Sequence, residues 1–283
     1  MGDTGTTLSF LPEEVLPGVL VCPEAESVAR AAARMFVEWS WQAMARQEAF
    51  RVALSGGSTP RAMYQALASE TFRQQVDWGR VHLFWGDERC VPPDDPESNY
   101  GVARRELLIR VPIPPPNVHR MEAEREELGA VALAYEELLR NELDLDERSL
   151  PSFDLIFLGL GLDGHTASLF PGAQGLRTTS RWVSTPLAPH QGTRRMTLTL
   201  PVLNAARRVL FLVEGPEKAA ILRTVLEEEV EPPLPAQLVT PVNGQRWFLV
   251  DRAAAALLAR RRTAADPQEQ GAGEQPKRTG EDR

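Results

Sequence analysis

Lysine is nearly missing from this 283-residue chain: all but Lys218 and Lys277 of its 31 basic residues are arginine. A lone lysine in mid-chain is therefore a candidate for a specific task. Basic charge is in deficit overall, with a net charge of -8. That argues against a nucleic-acid surface, which needs a basic face of Lys and Arg to neutralise phosphates. Cysteine is scarce. Cys22 and Cys90 lie too far apart to suggest a disulfide framework or a ligand pair, and are expected as free thiols in a reducing cytoplasm. No run approaches the roughly 20 apolar residues of a membrane span. The N-terminal stretch MGDTGTTLSFLPEEVLPG has neither a basic region nor a continuous apolar one, so no secretory signal is expected. Metal-ligand spacing is missing too: there is no His-x-x-x-His, Cys-x-x-Cys or clustered carboxylate pattern. Asp87 and Glu88 are neighbours, whose side chains in an extended segment point opposite ways, so no metal site is expected.

What is present is an ordinary globular composition, 43% hydrophobic and 25% charged. Short apolar runs alternate with longer amphipathic ones, the pattern of an α/β fold. Strands are expected at 19–21, 51–54, 81–85, 153–158, 195–200, 208–213 and 246–250. Helices are expected at 24–48, from Pro60, and at 99–111, 124–143, 216–229 and 251–260. Helices between strands require crossovers, hence parallel pairing. The expected architecture is a doubly wound, mainly parallel sheet with helices on both faces, in a single domain over residues 1–260. Residues 261–283 are polar and nearly free of apolar residues, and read as a disordered tail.

Three polar segments sit at strand ends: Ser55 to Thr59, Gly86 to Arg89 and Gly159 to His165. Ligands bind beyond the carboxyl ends of the strands in such sheets, so these segments are expected to converge. Ser55-Gly56-Gly57-Ser58-Thr59-Pro60 has the chemistry of an anion cradle. Its glycines let backbone N–H groups approach a ligand. Thr59 reads as the N-cap and Pro60 as the first helical residue, with the helix N-terminus adding about half a positive charge. The Ser58 and Thr59 hydroxyls are further donors. The segment lacks the Gly-Lys-Ser/Thr ending of a triphosphate loop, which favours a monophosphate.

Gly159-Leu160-Gly161-Leu162-Asp163-Gly164 fits the dinucleotide pattern G-x-G-x-x-G. The chain reaches Pro171-Gly172 before a crossover helix can form, and no acidic residue follows a second strand about 20 positions on. The match is read as coincidental. His165 is the stronger candidate: an imidazole titrates near 6.5 and can accept a proton from water at neutral pH. Asp163 is placed to orient it. His82, His119 and His190 have no comparable surroundings and read as structural or exposed.

Six stretches carry a family resemblance: 53–60, 84–89, 98–100, 153–172, 195–201 and 213–218, supported by 233–237 and Trp247-Phe248. In this order they resemble the 6-phosphogluconolactonase family, within the wider glucosamine-6-phosphate isomerase/deaminase superfamily. The resemblance implies that Gly56, Gly57, Ser58 and Thr59 hold a 6-phosphate and that His165 activates water. It also implies substrate or phosphate contacts for Arg89, Arg195 and Lys218, with Ser55, Asp87 and Asn99 from the same stretches. Arg194 beside Arg195 leaves open which arginine points inward. The implied partner is a phosphorylated sugar lactone, met by a monomer or small homo-oligomer without organic cofactor or metal. The sister activity, an amino-sugar-phosphate deaminase and isomerase, carries a glutamate shortly after the histidine, and Phe170 stands here instead. A non-catalytic sugar-phosphate sensor would add a basic helical DNA-binding module, which this chain lacks.

Overall fold

A computed structural model describes residues 12–146, 149–173, 176, 178, 180–189 and 192–259. The expected tail at 261–283 and His190 lie outside the described residues. The chain begins with β1 (Glu13–Leu16), β2 (Val19–Cys22) and α1 (Ala25–Met44). Then come β3 (Phe50–Leu54), α2 (Ser58–Leu67), α3 (Glu70–Arg73), β4 (Val81–Trp85) and β5 (Asp87–Arg89). Next are α4 (Asn99–Glu106), α5 (Leu128–Glu142), β6 (Leu155–Leu158), β7 (Val183–Ser184) and β8 (Arg195–Leu198). The last are α6 (Leu200–Asn204), β9 (Arg208–Val213), α7 (Ala219–Glu227), α8 (Pro235–Leu238) and β10 (Gln245–Asp251).

Seven strands form the main sheet in the order β1-β2-β10-β9-β6-β3-β4. Only β1 runs antiparallel to its neighbour; the other pairs are parallel. In β6 every residue is buried. Successive side chains of a strand point to opposite faces, so burial throughout means that both faces are covered. This is the doubly wound, single-domain arrangement expected. One core runs from Val19 to Leu258, with Phe36 set edge-on to Phe50 and stacked on Phe157.

Some expected elements differ. The strand at 195–200 exists as β8 but leaves the main sheet, pairing antiparallel with β5 and β7 in a three-stranded sheet. Helix 99–111 ends as α4 at Glu106 and continues only as a 3-10 turn at Leu108–Arg110, because Pro112 disfavours helical backbone at Val111. Helix 124–143 begins at Leu128, after a non-helical backbone at Glu127 (φ -83°, ψ 64°). Helix 251–260 is a 3-10 turn at Ala254–Leu257, behind an Asp251 carboxylate that accepts from the Ala254 N–H at 2.7 Å. Both cysteines are free; burial, with Asp251 and Glu214 nearby, pushes the Cys22 thiol up to about 11. Among the described residues, no helix is long and apolar enough to cross a membrane.

Candidate active site

Strands β4, β3, β6 and β9 are neighbours and parallel, so their carboxyl ends open on one edge of the sheet. From that edge emerge the segments beginning at Ser55, Gly86, Gly159 and Glu214. Together they line one cleft containing Ser55, Gly56, Gly57, Ser58, Thr59, Asp87, Arg89, Asn99, His165 and Lys218. Asp163 and Arg195 line an adjoining cleft that shares Asp87, Arg89, His165 and Lys218 with the first. Every candidate residue thus meets at one place, and His165 stands between the two halves.

The glycine loop builds the first half. Gly57 has φ 109°, a conformation L side chains avoid, and is itself the N-cap of α2. The helix accordingly starts at Ser58, so Thr59 is not the cap expected from the sequence. A Cβ on Gly56 would lie 1.8 Å from Asn99 Oδ1, so only glycine lets the loop and α4 approach this closely. Tyr64 Oη donates to the Ser55 carbonyl at 2.6 Å and fixes the loop from beneath. The Ser58 side chain stays exposed, whereas the Thr59 hydroxyl donates to Glu214 Oε2 at 3.0 Å. Of the two hydroxyls expected as ligand donors, Thr59's is therefore engaged. Burial, with Asp251 adding to it, raises the Glu214 carboxyl against that hydrogen bond.

The second segment separates its acids by strand alternation. Asp87 Oδ2 accepts from Ser168 Oγ at 2.6 Å, and Oδ1 accepts from Asn99 Nδ2 at 3.2 Å. Glu88 points the other way and receives the N–H groups of Asn99 and Tyr100, each at 2.8 Å. It therefore supports the first turn of α4, favoured by that helix end. Burial raises the Glu88 carboxyl despite these donors. Its structural role is to seat Asn99 against Asp87.

His165 lies in a closed turn. Gly161 N–H donates to the His165 carbonyl at 2.9 Å, and Thr166 Oγ1 donates to the Gly159 carbonyl at 2.8 Å. No crossover helix follows, in agreement with the reading of the G-x-G-x-x-G match as coincidental. His165 Nδ1 lies 2.5 Å from Asp163 Oδ1, which also accepts the His165 backbone N–H at 3.1 Å. Burial works to raise the Asp163 carboxyl, but the hydrogen bonds and charge of His165 outweigh it and hold it below the usual carboxylate range. With Nδ1–H donating to Asp163, the Nε2 lone pair is left to act as a base. Phe170 packs against the imidazole with ring centroids 4.9 Å apart.

Positive charge collects around this histidine. Arg89 on β5 and Arg195 on β8 are direct cross-strand partners. Arg195 is buried, and burial together with the Arg89 charge lowers its pKa. Arg194 is exposed, which identifies Arg195 as the inward-facing member of the pair. Lys218 donates from Nζ to the Leu160 carbonyl at 2.8 Å, binding the fourth segment to the histidine turn.

Sequence reading missed Glu88, Ser168 and Glu214. Ser168 lies 81 residues from Asp87, and Glu214 lies 155 from Thr59, so no local spacing announces either pair. The signals available were that Glu88 and Glu214 sit at strand ends and that all three lie within the stretches of family resemblance.

A family model described as glucosamine-6-phosphate isomerases/6-phosphogluconolactonase matches residues 23–248. A 6-phosphogluconolactonase of Synechocystis sp. is 39% identical over 213 residues, covering 75% of this chain and 86% of that protein. A 6-phosphogluconolactonase of Homo sapiens is 42% identical over 212 residues, covering 74% of this chain and 81% of its own. The solved 6-phosphogluconolactonase of Trypanosoma brucei superposes with a TM-score of 0.75 at 31% identity, over 87% of this chain and 100% of its own. The matched span takes in every candidate residue from Ser55 to Lys218, and the chain belongs to the glucosamine-6-phosphate isomerase/6-phosphogluconolactonase family.

Proposed function

We propose that this protein hydrolyses 6-phospho-D-glucono-1,5-lactone to 6-phosphogluconate, a step of the oxidative pentose phosphate pathway. The observation that carries the reading is the 2.5 Å contact of His165 Nδ1 with Asp163, in a cleft shared with the N-terminus of α2. The phosphate is held by backbone N–H groups of Gly56 to Thr59, the Ser58 hydroxyl and Lys218, where the helix dipole favours an anion. His165 Nε2 takes a proton from water as its oxygen bonds to the lactone carbonyl carbon. Asp163 holds the ring in the required tautomer and balances the imidazolium that forms. Arg195, or a backbone N–H, stabilises the tetrahedral oxyanion. When the carbonyl reforms, the ring C–O bond breaks and the departing oxygen takes the proton from His165. The products are one carboxyl group and one hydroxyl. None of these steps calls on an organic cofactor or metal.

Identity of 37–42% to several 6-phosphogluconolactonases supports the substrate assignment. Phe170 argues against the amino-sugar deaminase: it sets an apolar ring against His165, where that chemistry needs a second acid/base group. The acidic net charge fits a small-molecule enzyme of the cytoplasm rather than a nucleic-acid binder. The test is a parallel assay on freshly made 6-phosphogluconolactone and on glucosamine 6-phosphate. Turnover of the lactone well above its spontaneous hydrolysis, with the amino sugar inert, is expected. The opposite pattern would overturn the proposal.

A further inference from the structure

A second convergence of ligating side chains lies away from the cleft. His82 is on β4, His119 follows the 3-10 turn Pro115–Asn117, and Glu142 ends α5. His82 lies five residues before Asp87, roughly 16 Å along extended chain, and toward the opposite end of the sheet from the active site. Its Nδ1 is 3.2 Å from His119 Nε2 and 3.5 Å from Glu142 Oε2. His119 Nε2 is 3.6 Å from the same carboxylate oxygen. Three ligand atoms from a strand, a loop and a helix thus form a nearly equilateral triangle.

Hydrogen bonding alone does not satisfy this triangle. If both imidazoles donate to Glu142, two N–H groups face each other across 3.2 Å. If one imidazole donates to the other, a lone pair of the acceptor ring faces the carboxylate. Either arrangement leaves one edge with like groups opposed. A cation at the centre satisfies all three. An ion with tetrahedral bonds of about 2.0–2.1 Å separates its ligand atoms by about 3.3–3.4 Å, close to the edges seen. Two imidazoles and a single carboxylate suit zinc and its transition-metal neighbours better than magnesium or calcium, which take oxygen.

We propose that His82, His119 and Glu142 bind one divalent transition-metal ion of the zinc class, with water as the fourth ligand. His82 and Glu142 are 24% and 35% exposed, leaving the fourth position open to solvent. His119 is buried, its ring stacked on Phe84, and its backbone N–H donates to the Leu83 carbonyl at 2.8 Å. The Arg51 guanidinium opposes the site; its Nε donates to the Glu142 carbonyl at 3.2 Å. The ion's role is a clamp: β4 is the edge strand of the main sheet, and metal would fasten it to the adjoining loop and to the end of α5. The inference is independent of the lactonase reading.

Chelator-treated protein is titrated with zinc chloride by calorimetry, and with cobalt chloride while the visible spectrum is followed. One ion per chain, a tetrahedral cobalt spectrum and a higher Tm with zinc are expected. His82→Asn and Glu142→Gln, both at partly exposed positions, should each weaken binding by at least the roughly 10–100-fold that loss of a mere supporting contact costs. Their lactone turnover should match wild type. Binding must persist in His165→Asn, because Asp163 and His165 are themselves potential ligands. Three results would each overturn the site: no zinc uptake by the wild-type chain, equal uptake by the His82→Asn/Glu142→Gln double variant, or uptake abolished by His165→Asn.

Discussion

A Cβ on Gly161 would lie 2.0 Å from His165 Nδ1 and 2.7 Å from Asp163 Oδ1, so the imidazole rests almost on the backbone of its own loop. Gly161→Ala should push the ring out of its pairing with Asp163. We expect kcat to fall toward the roughly 10²–10⁴-fold loss that removing a general base brings, with little change in KM, by steady-state assay. An unchanged kcat would mean that the ring acts from some other position. The Asp163–His165 pairing also has a pH signature. The Asp163 carboxyl is depressed in the folded state, so the pairing adds stability above the unfolded value of about 3.9 and loses it as pH falls through the folded value. Denaturant midpoints of wild type and Asp163→Asn should differ near neutrality and converge as pH drops below about 4. A gap that widens in acid would contradict this. The pairing, as distinct from the proposed roles, was legible: His165 and Asp163 share a short loop, and their spacing announces the pair. Glu88 and Glu214 were not, because a strand-end glutamate is read from what packs against it, and their partners come from α4 and α2.

The elements explain why the loop chemistry stays in place. Gly57 caps α2 at φ 109°, and the first residues of that helix line the cleft. Gly57→Ala forces a side chain into that conformation, at a cost of about 1–3 kcal/mol. Its main effect should appear as a raised KM for the phosphorylated lactone, with kcat less affected. An unaltered KM would remove the loop from phosphate binding. Strands were the more legible elements, since unbroken apolar runs such as Leu155–Leu158 mark themselves. Sheet membership was not: Arg195–Leu198 is as buried as any central strand, yet it pairs antiparallel in the smaller sheet. Burial reports that a strand is covered, and only long-range pairing says by what. Helix starts shifted for a related reason. Thr59 looked like the cap because its side chain suits one, but the backbone turn is made by Gly57 and the Thr59 hydroxyl is spent on Glu214. The triad of His82, His119 and Glu142 escaped the search for metal spacing because no two of its members share an element.

At the scale of the whole molecule, one core joins the sheet, α1 and the strand ends that carry the site. Phe157 lies fully buried on β6, stacked with Phe36, directly before the turn that holds His165. Phe157→Ala should cost about 3–5 kcal/mol by denaturant unfolding, a large part of the 5–15 kcal/mol typical of a domain. A cost below about 1 kcal/mol would show a core less continuous than described. The molecule is acidic overall yet gathers Arg89, Arg195, Lys218 and a helix N-terminus at one edge, so the proposed phosphate site draws on local positive charge set by fold rather than composition. The central claim is that one histidine, oriented by one aspartate, draws the proton from water. Its most direct test is kcat for 6-phosphogluconolactone in His165→Ala, corrected for spontaneous hydrolysis. The account predicts a fall of roughly 10²–10⁴-fold with KM little changed; a kcat near that of wild type would contradict it.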